Sequence, residues 1–133
     1  MKVLVVDDEM PARARLCALL QDLGGYQVCG EAANGREALQ LSEAEQPDVL
    51  LLDIRMPGMD GLEAARHLQL LEQPPAIIFT TAYNDYALQA FETHAVDYLL
   101  KPVRKERLED ALHHAQRLTR VQAATLQEVE LQT

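Results

Sequence analysis

Four short apolar runs in this 133-residue sequence each stop on residues that can do chemistry. Val3–Val6 runs into Asp7, Asp8 and Glu9; Val49–Leu52 runs into Asp53; the run from Ala76 closes on Thr80 and Thr81; and Val96–Leu100 closes on Lys101 and Pro102. Brought together, these ends would place two or three carboxylates, a hydroxyl and an ammonium in one crevice. Carboxylates a few ångströms apart repel one another by about 4 kcal/mol per pair at an effective dielectric near 20, so they need a shared proton or a cation. A hard divalent ion suits them, and Mg2+ is typically held by one or two carboxylates together with phosphate oxygens. Beside such an ion Asp53 is a carboxylate nucleophile toward a phosphoryl group. Lys101 then supplies a second positive charge, and Thr81 a hydrogen bond to the group once transferred.

The convergence depends on the elements between these ends. Five apolar runs (Val3–Val6, Tyr26–Gly30, Val49–Leu52, Ala76–Thr80 and Val96–Leu100) alternate with amphipathic stretches beginning near Pro11, Gly35, Gly61, Asp85 and Lys105. Runs this short, separated by helical patterns, predict a parallel sheet covered on both faces. Pro11 opens the first helix, Leu16, Leu19, Leu20 and Leu23 give it an apolar stripe, and Gly24-Gly25 stops it. Ala38, Leu39 and Leu41 mark the second before Pro47; Leu62, Ala65, Leu68 and Leu71 mark the third before Pro74-Pro75. The fold class expected is α/β: a flavodoxin-like (βα)5 doubly wound parallel sheet in the strand order 2-1-3-4-5. Its ligand site lies at the carboxyl ends of the strands, where the first and third diverge. That order makes the four reactive strand ends neighbours. The domain spans residues 1–118, and the polar stretch 119–133, with scattered Val121, Leu126, Val129 and Leu131, extends the last helix or begins a linker.

Composition narrows the function further. Twelve Lys and Arg against twenty-one Asp and Glu give a net charge of −9, a surface that repels phosphate backbones, so no nucleic acid is expected on this chain itself. No apolar run approaches the ~18 residues of a membrane helix, and Asp7 cuts short any signal-peptide core, so no membrane contact and a cytoplasmic location are expected. Cys17 and Cys29, without a CxxC, read as small core residues in a reducing compartment. His67, His94, His113 and His114 read as surface residues. No glycine-rich nucleotide-binding loop is present.

Each candidate has a plainer explanation. Asp7 and Asp8 could cap the helix that begins near Pro11; Asp53 could belong to a Pro-Gly turn; Thr80, Thr81 or Asn84 could cap the fourth helix; Lys101 could be a solvated surface lysine. None of these explanations requires the other residues, whereas a single phosphoryl site requires them all.

The segments Val5-Val6-Asp7-Asp8-Glu9, Leu51-Leu52-Asp53-Ile54-Arg55-Met56-Pro57-Gly58-Met59-Asp60-Gly61, Thr81-Ala82 and Tyr98-Leu99-Leu100-Lys101-Pro102 together resemble the receiver domain of bacterial response regulators, over residues 2 to about 118. The resemblance implies that Asp53 is the phosphoacceptor and that Asp7, Asp8, Asp53 and the backbone carbonyl of Arg55 hold Mg2+. It further implies that Thr81 is the switch hydroxyl, that Lys101 binds phosphate, and that the Lys101-Pro102 peptide is cis. The stretch Thr81–Phe91 running into Ala95–Pro102 is similar to receivers of LytTR-type transcriptional regulators. This implies a sensor histidine kinase as donor and DNA contact through a C-terminal domain outside this chain. A homodimer through the face of the fourth helix, fifth strand and fifth helix is expected, with Ala87, Ala90 and Phe91 as its apolar patch and Asp97 and Arg104 on the rim. Tyr98 would report activation from that face. Arg55 and Tyr83, two residues after Asp53 and Thr81, are bulky enough to crowd a hydrolytic water. The alternatives are a stand-alone receiver and a metal-binding module that is never phosphorylated. An Asp-nucleophile phosphatase of the haloacid-dehalogenase type needs a second Asp where Arg55 stands.

Overall fold

The computed structural model describes the backbone of residues 1–132 and the side chains of residues 1–118. Strands and helices alternate along it: β1 (Lys2–Val6), α1 (Met10–Leu23), β2 (Gln27–Ala32), α2 (Gly35–Glu45), β3 (Val49–Asp53), α3 (Gly61–Leu68), β4 (Ala76–Thr81), α4 (Ala87–Glu92), β5 (Asp97–Leu100) and α5 (Lys105–Gln132). The strands pair in parallel in the order β2-β1-β3-β4-β5. This is the flavodoxin-like, doubly wound sheet that the alternation of apolar runs and helices predicts.

Successive side chains of a strand point to opposite faces, and the strands divide their residues accordingly. Leu4, Val6, Leu50, Leu52, Ile77 and Phe79 are buried on one face, against Ala38 of α2, Leu62, Ala65 and Leu68 of α3, and Ala90 of α4. Val3, Val5, Val49, Leu51, Ile78 and Leu99 are buried on the other, against Leu16 and Leu20 of α1 and Leu108, Ala111 and Leu112 of α5. The central β3 is buried along its whole length, as a strand covered on both faces must be.

Local signals set where the helices start and stop. Gly24, at φ +74°, closes α1 by donating its N–H to the Leu20 carbonyl. The Asn34 side chain accepts from the Glu37 N–H and the Glu37 carboxylate accepts from the Ala33 N–H, opening α2. Asp60 accepts from the Glu63 N–H to open α3. The start of α3 lies hard against the end of β3: the Gly61 N–H donates to the Ile54 carbonyl at 2.7 Å. A Cβ at Gly61 would lie 2.0 Å from the Asp53 carbonyl oxygen, so only glycine permits this approach.

Several boundaries differ from the sequence expectation. β2 runs Gln27–Ala32 rather than Tyr26–Gly30, because it pairs with β1 through Glu31 and Ala32. Glu31 lies exposed on an edge strand, and a polar residue there hides the strand from a search for apolar runs. α4 begins at Ala87, two residues after Asp85, and no side chain caps it. The two thiols are half-buried rather than core and are not bonded to each other. Cys29 Sγ donates to the Val3 carbonyl at 3.5 Å, and burial pushes both thiols upward in pKa. His67, His94 and His113 are exposed, whereas His114 is half-buried. The backbone of α5 runs to Gln132; Thr133 and the side chains of Val121, Leu126, Val129 and Leu131 lie outside the described residues. Among the described residues no helix is long and apolar enough to cross a membrane.

Candidate functional site

The central strands deliver their carboxyl-terminal residues side by side. Val6 pairs with Leu52 across β1 and β3, so Asp7 and Asp53 follow at adjacent strand ends. Asp53 pairs with Thr80, and Thr81 with Leu100, which places Lys101 one residue beyond. One carboxylate oxygen each from Asp7, Asp8 and Asp53 lies within 4.8 Å of the others. Asp7 and Asp53 are buried and Asp8 is exposed. Lys101 Nζ donates to Asp7 Oδ2 at 2.6 Å and lies 3.5 Å from Asp53 Oδ2. A lysine 94 residues further along the chain thus bridges two of the three acids.

The plainer explanations of these residues fail on geometry. Neither Asp7 nor Asp8 is the N-cap of α1; that position is Glu9, with no side-chain cap bond. Asp7 Oδ1 instead accepts from the Glu9 N–H at 2.9 Å, which turns the loop back over the strand end. Asp53 Oδ1 accepts from the Ile54 N–H at 2.9 Å, leaving Oδ2 toward Lys101. Lys101 is an ion-paired, half-buried lysine. Thr81 is fully buried, and its Oγ1 accepts from the Tyr83 N–H at 3.2 Å. No hydrogen bond joins it to the acids among the described residues. Thr80, opposite Asp53, is buried with its Oγ1 unpartnered among the described residues.

The electrostatics follow from this crowding. Burial, reinforced by the charge of Asp7, pushes Asp53 up to about 6; Lys101 and the Ile54 N–H pull the other way, and Asp8 adds to the rise. Burial alone would lower the Lys101 ammonium, but its bonds and charge pairing with Asp7 and Asp53 outweigh that and raise it. The carboxylates suit a hard cation by donor type and by spacing, and their mutual repulsion is what such an ion would relieve.

Beside the crevice, the Arg55 guanidinium carbon lies 4.4 Å from the centre of the Tyr83 ring, a cation–π stack. The Tyr98 hydroxyl donates to the Tyr83 carbonyl, and the Tyr83 and Tyr86 rings meet edge-on at 6.3 Å. On the neighbouring face Ala90 is not part of an exposed patch: it packs into the core beneath α4. The helical turn points Ala90 inward and leaves Leu88 and Phe91 outward, 80% and 65% exposed. Leu100 is also exposed, and Asp97 pairs with Arg107 at 3.6 Å. One residue close to the acids escaped the sequence reading altogether. Arg13 of α1 donates from Nη1 to the Asp7 carbonyl at 2.7 Å, and nothing in the Ala12-Arg13-Ala14-Arg15 pattern signals it.

The raised Asp53 pKa carries a sign for stability. A carboxyl that titrates at about 6 when folded, against 3.8 in the unfolded chain, keeps its proton longer in the native state. Stability from this group is therefore greatest below the unfolded value and falls as the pH rises through the window up to about 6. Without divalent cations, Asp53→Asn is expected to unfold at higher urea than the parent at pH 7.5, with the difference shrinking below about pH 6. Equal midpoints at both ends of the window would remove the buried-charge penalty from the account.

Comparison with known proteins agrees with this geometry. The response regulator receiver domain family matches residues 3–113. The positive alginate biosynthesis regulatory protein of Pseudomonas aeruginosa is 54% identical over 127 residues, 95% of this chain and 51% of that protein. The transcriptional regulatory protein BtsR of Salmonella typhi is 50% identical over 112 residues, 84% of this chain and 46% of that protein. The transcriptional regulatory protein LytR of Staphylococcus aureus is 42% identical over 113 residues, 85% of this chain and 46% of that protein. This chain spans about half the length of these curated relatives. Among solved structures, the response regulatory domain of mrkE from Klebsiella pneumoniae superposes with a TM-score of 0.78 at 32% identity, covering 91% of this chain and 97% of that one. The receiver domain of NarL from Mycobacterium tuberculosis gives 0.80 at 36% identity, over 86% and 95%. By sequence and by fold, this chain belongs to the response regulator receiver family.

Proposed function

We propose that the chain is the phosphoacceptor receiver of a two-component response regulator, taking a phosphoryl group from the phosphohistidine of a sensor kinase onto Asp53. The observation that carries this reading is the Lys101 bridge between Asp7 and Asp53, which gathers an anion-binding charge and a buried carboxylate at one strand-end crevice. In the transfer an Asp53 oxygen attacks phosphorus, the bond to the imidazole nitrogen breaks with its electron pair left on nitrogen, and an acyl phosphate forms. Its pKa of about 6 leaves Asp53 ionised at neutral pH yet more basic than an ordinary carboxylate. Asp7, Asp8, Asp53 and the backbone carbonyl of Arg55 would hold Mg2+, which would supply charge neutralisation on the transferring oxygens. Lys101 then turns from its carboxylate partners toward the phosphoryl group, and Thr81 gives up the Tyr83 N–H to donate to it.

Two charge-assisted bonds are worth roughly 3 to 6 kcal/mol, against about 5.5 kcal/mol to carry a two-state equilibrium from 1:99 to 99:1. Lys101 exchanges existing bonds for new ones, so the net bias lies toward the lower end. Moving Thr81 frees the segment through Tyr83, whose carbonyl Tyr98 holds. The signal leaves by the α4–β5–α5 face, where Leu88, Phe91 and Leu100 offer apolar surface for a homodimer. On this reading residues 1–118 are the receiver and 119–133 lead toward a LytTR-type DNA-binding domain, with DNA held there and not by this acidic chain. The length of the regulator relatives favours that arrangement over a stand-alone receiver, and such a role places the protein in the cytoplasm.

Intact-mass analysis after incubation with acetyl phosphate tests the central step. One phosphoryl adduct is expected with Mg2+, and none with a chelator or in Asp53→Asn; Mg2+ binding with no adduct would leave a metal-binding module instead. The stack of Arg55 on Tyr83 shields the acyl phosphate from water, so Tyr83→Ala is expected to shorten its lifetime, and an unchanged decay rate would exclude shielding. Sedimentation with beryllofluoride, a phosphoryl mimic, is expected to show dimers that Phe91→Glu abolishes; a mass independent of concentration with and without the mimic counts against the dimer.

A further inference from the structure

Asp7 and Asp8 share one peptide unit but are held in different ways. The Asp7 side chain is fixed twice over, by the Lys101 ammonium and by the Glu9 N–H. Its own N–H donates to the Ala32 carbonyl at 3.0 Å. Asp8 is exposed and, among the described residues, its carboxylate takes no hydrogen bond. The direction of the Asp8 side chain therefore follows from the plane of the Asp7-Asp8 peptide. One group grips the oxygen of that plane: Arg13 Nη1, at 2.7 Å from the Asp7 carbonyl.

The guanidinium is itself oriented. Arg13 Nε faces Glu31 Oε1 on β2 at 3.3 Å, so the fork spans from the edge strand to the β1–α1 loop. It also borders an open cleft of about 410 Å3, lined by Met10, Ala14, Cys17 and Glu37 among others. Only 17% of the Arg13 side chain is exposed, so the guanidinium is held in place between α1 and the edge strand rather than free in solvent. Coulomb's law makes Arg13 an odd neighbour for a cation site, since its positive charge repels the ion. Its benefit there must be geometric.

We propose that Arg13 is a positioning residue for the acidic site: by holding the Asp7 carbonyl, it sets the direction in which Asp8 presents its carboxylate to a divalent cation. The inference rests on the reading of Asp7, Asp8 and Asp53 as the cation ligands. Groups that orient metal ligands are typically worth about 10- to 100-fold in affinity.

The two possible roles of Arg13 have opposite signs, and calorimetric titration of the purified chain with Mg2+ separates them. Positioning predicts that Arg13→Gln binds Mg2+ about tenfold more weakly than the parent. If Arg13 acted by charge alone, the same change would tighten binding. Arg13→Lys keeps the charge but cannot hold both Glu31 and the Asp7 carbonyl, and it is expected to lose about threefold. Arg66→Gln, the same charge change on the exposed side of α3, should match the parent. In the metal-free protein the Asp8 amide resonance should move in Arg13→Gln and stay in place in Arg66→Gln, in spectra that also show the fold is kept. Parental or tighter Mg2+ binding by Arg13→Gln overturns the proposal; if that variant does not fold, parental binding by Arg13→Lys does so. A parent that binds no Mg2+ overturns the underlying ligand assignment instead.

Discussion

Repulsion among three carboxylates at the ends of β1 and β3 is the constraint around which this molecule is arranged. Asp7 and Asp53 are buried, and burial magnifies the cost of their charges. One ammonium, just past the end of the last strand, offsets part of that cost by contacting both. The remainder shows as the raised titration of Asp53. A site left incompletely neutralised is unfavourable for stability alone and suited by its charge to a cation.

The sheet order follows from the same need. Lys101 reaches Asp7 only because β5 lies beyond β4 and β3 on one side of β1, while β2 occupies the other. The two halves of the crevice have separate supports. Gly61 lets α3 press against the backbone of Asp53, and α1 carries Arg13 to the Asp7 carbonyl and Arg15 to the Val103 carbonyl at 2.7 Å. The first helix therefore grips both loops whose charges meet, the one after β1 and the one after β5.

Much of this was legible in the sequence, for identifiable reasons. Buried parallel strands write themselves as short apolar runs, and β3 and β4 were readable from their residues alone. A charged residue closing such a run, as Asp53 and Lys101 do, needs a partner, and that need pointed to the crevice. β2 was less legible because an edge strand carries polar residues such as Glu31. α4 was less legible because it is one short helix without a capping side chain. Ala90 was misassigned to the surface because the apolar letters of α4 do not reveal which of them the turn points inward. Arg13 was invisible: its bonds run from a helix back to a backbone carbonyl and across to β2, and no spacing rule encodes them. Thr80 and Thr81 look alike as letters, yet one hydroxyl is bonded and the other, among the described residues, has no partner.

The 94-residue separation of Asp7 and Lys101 also bears on how the chain is made. A ribosome releases Asp7, Asp8 and Asp53 well before the lysine that tempers them, so the first three strands emerge as a charged, unfinished sheet. A non-local contact of this span delays folding, because the loop must close before the contact rewards it. A polypeptide ending before β5 carries the acids without their counter-charge, so the buried carboxylates weigh against its folding until the last strand is in place.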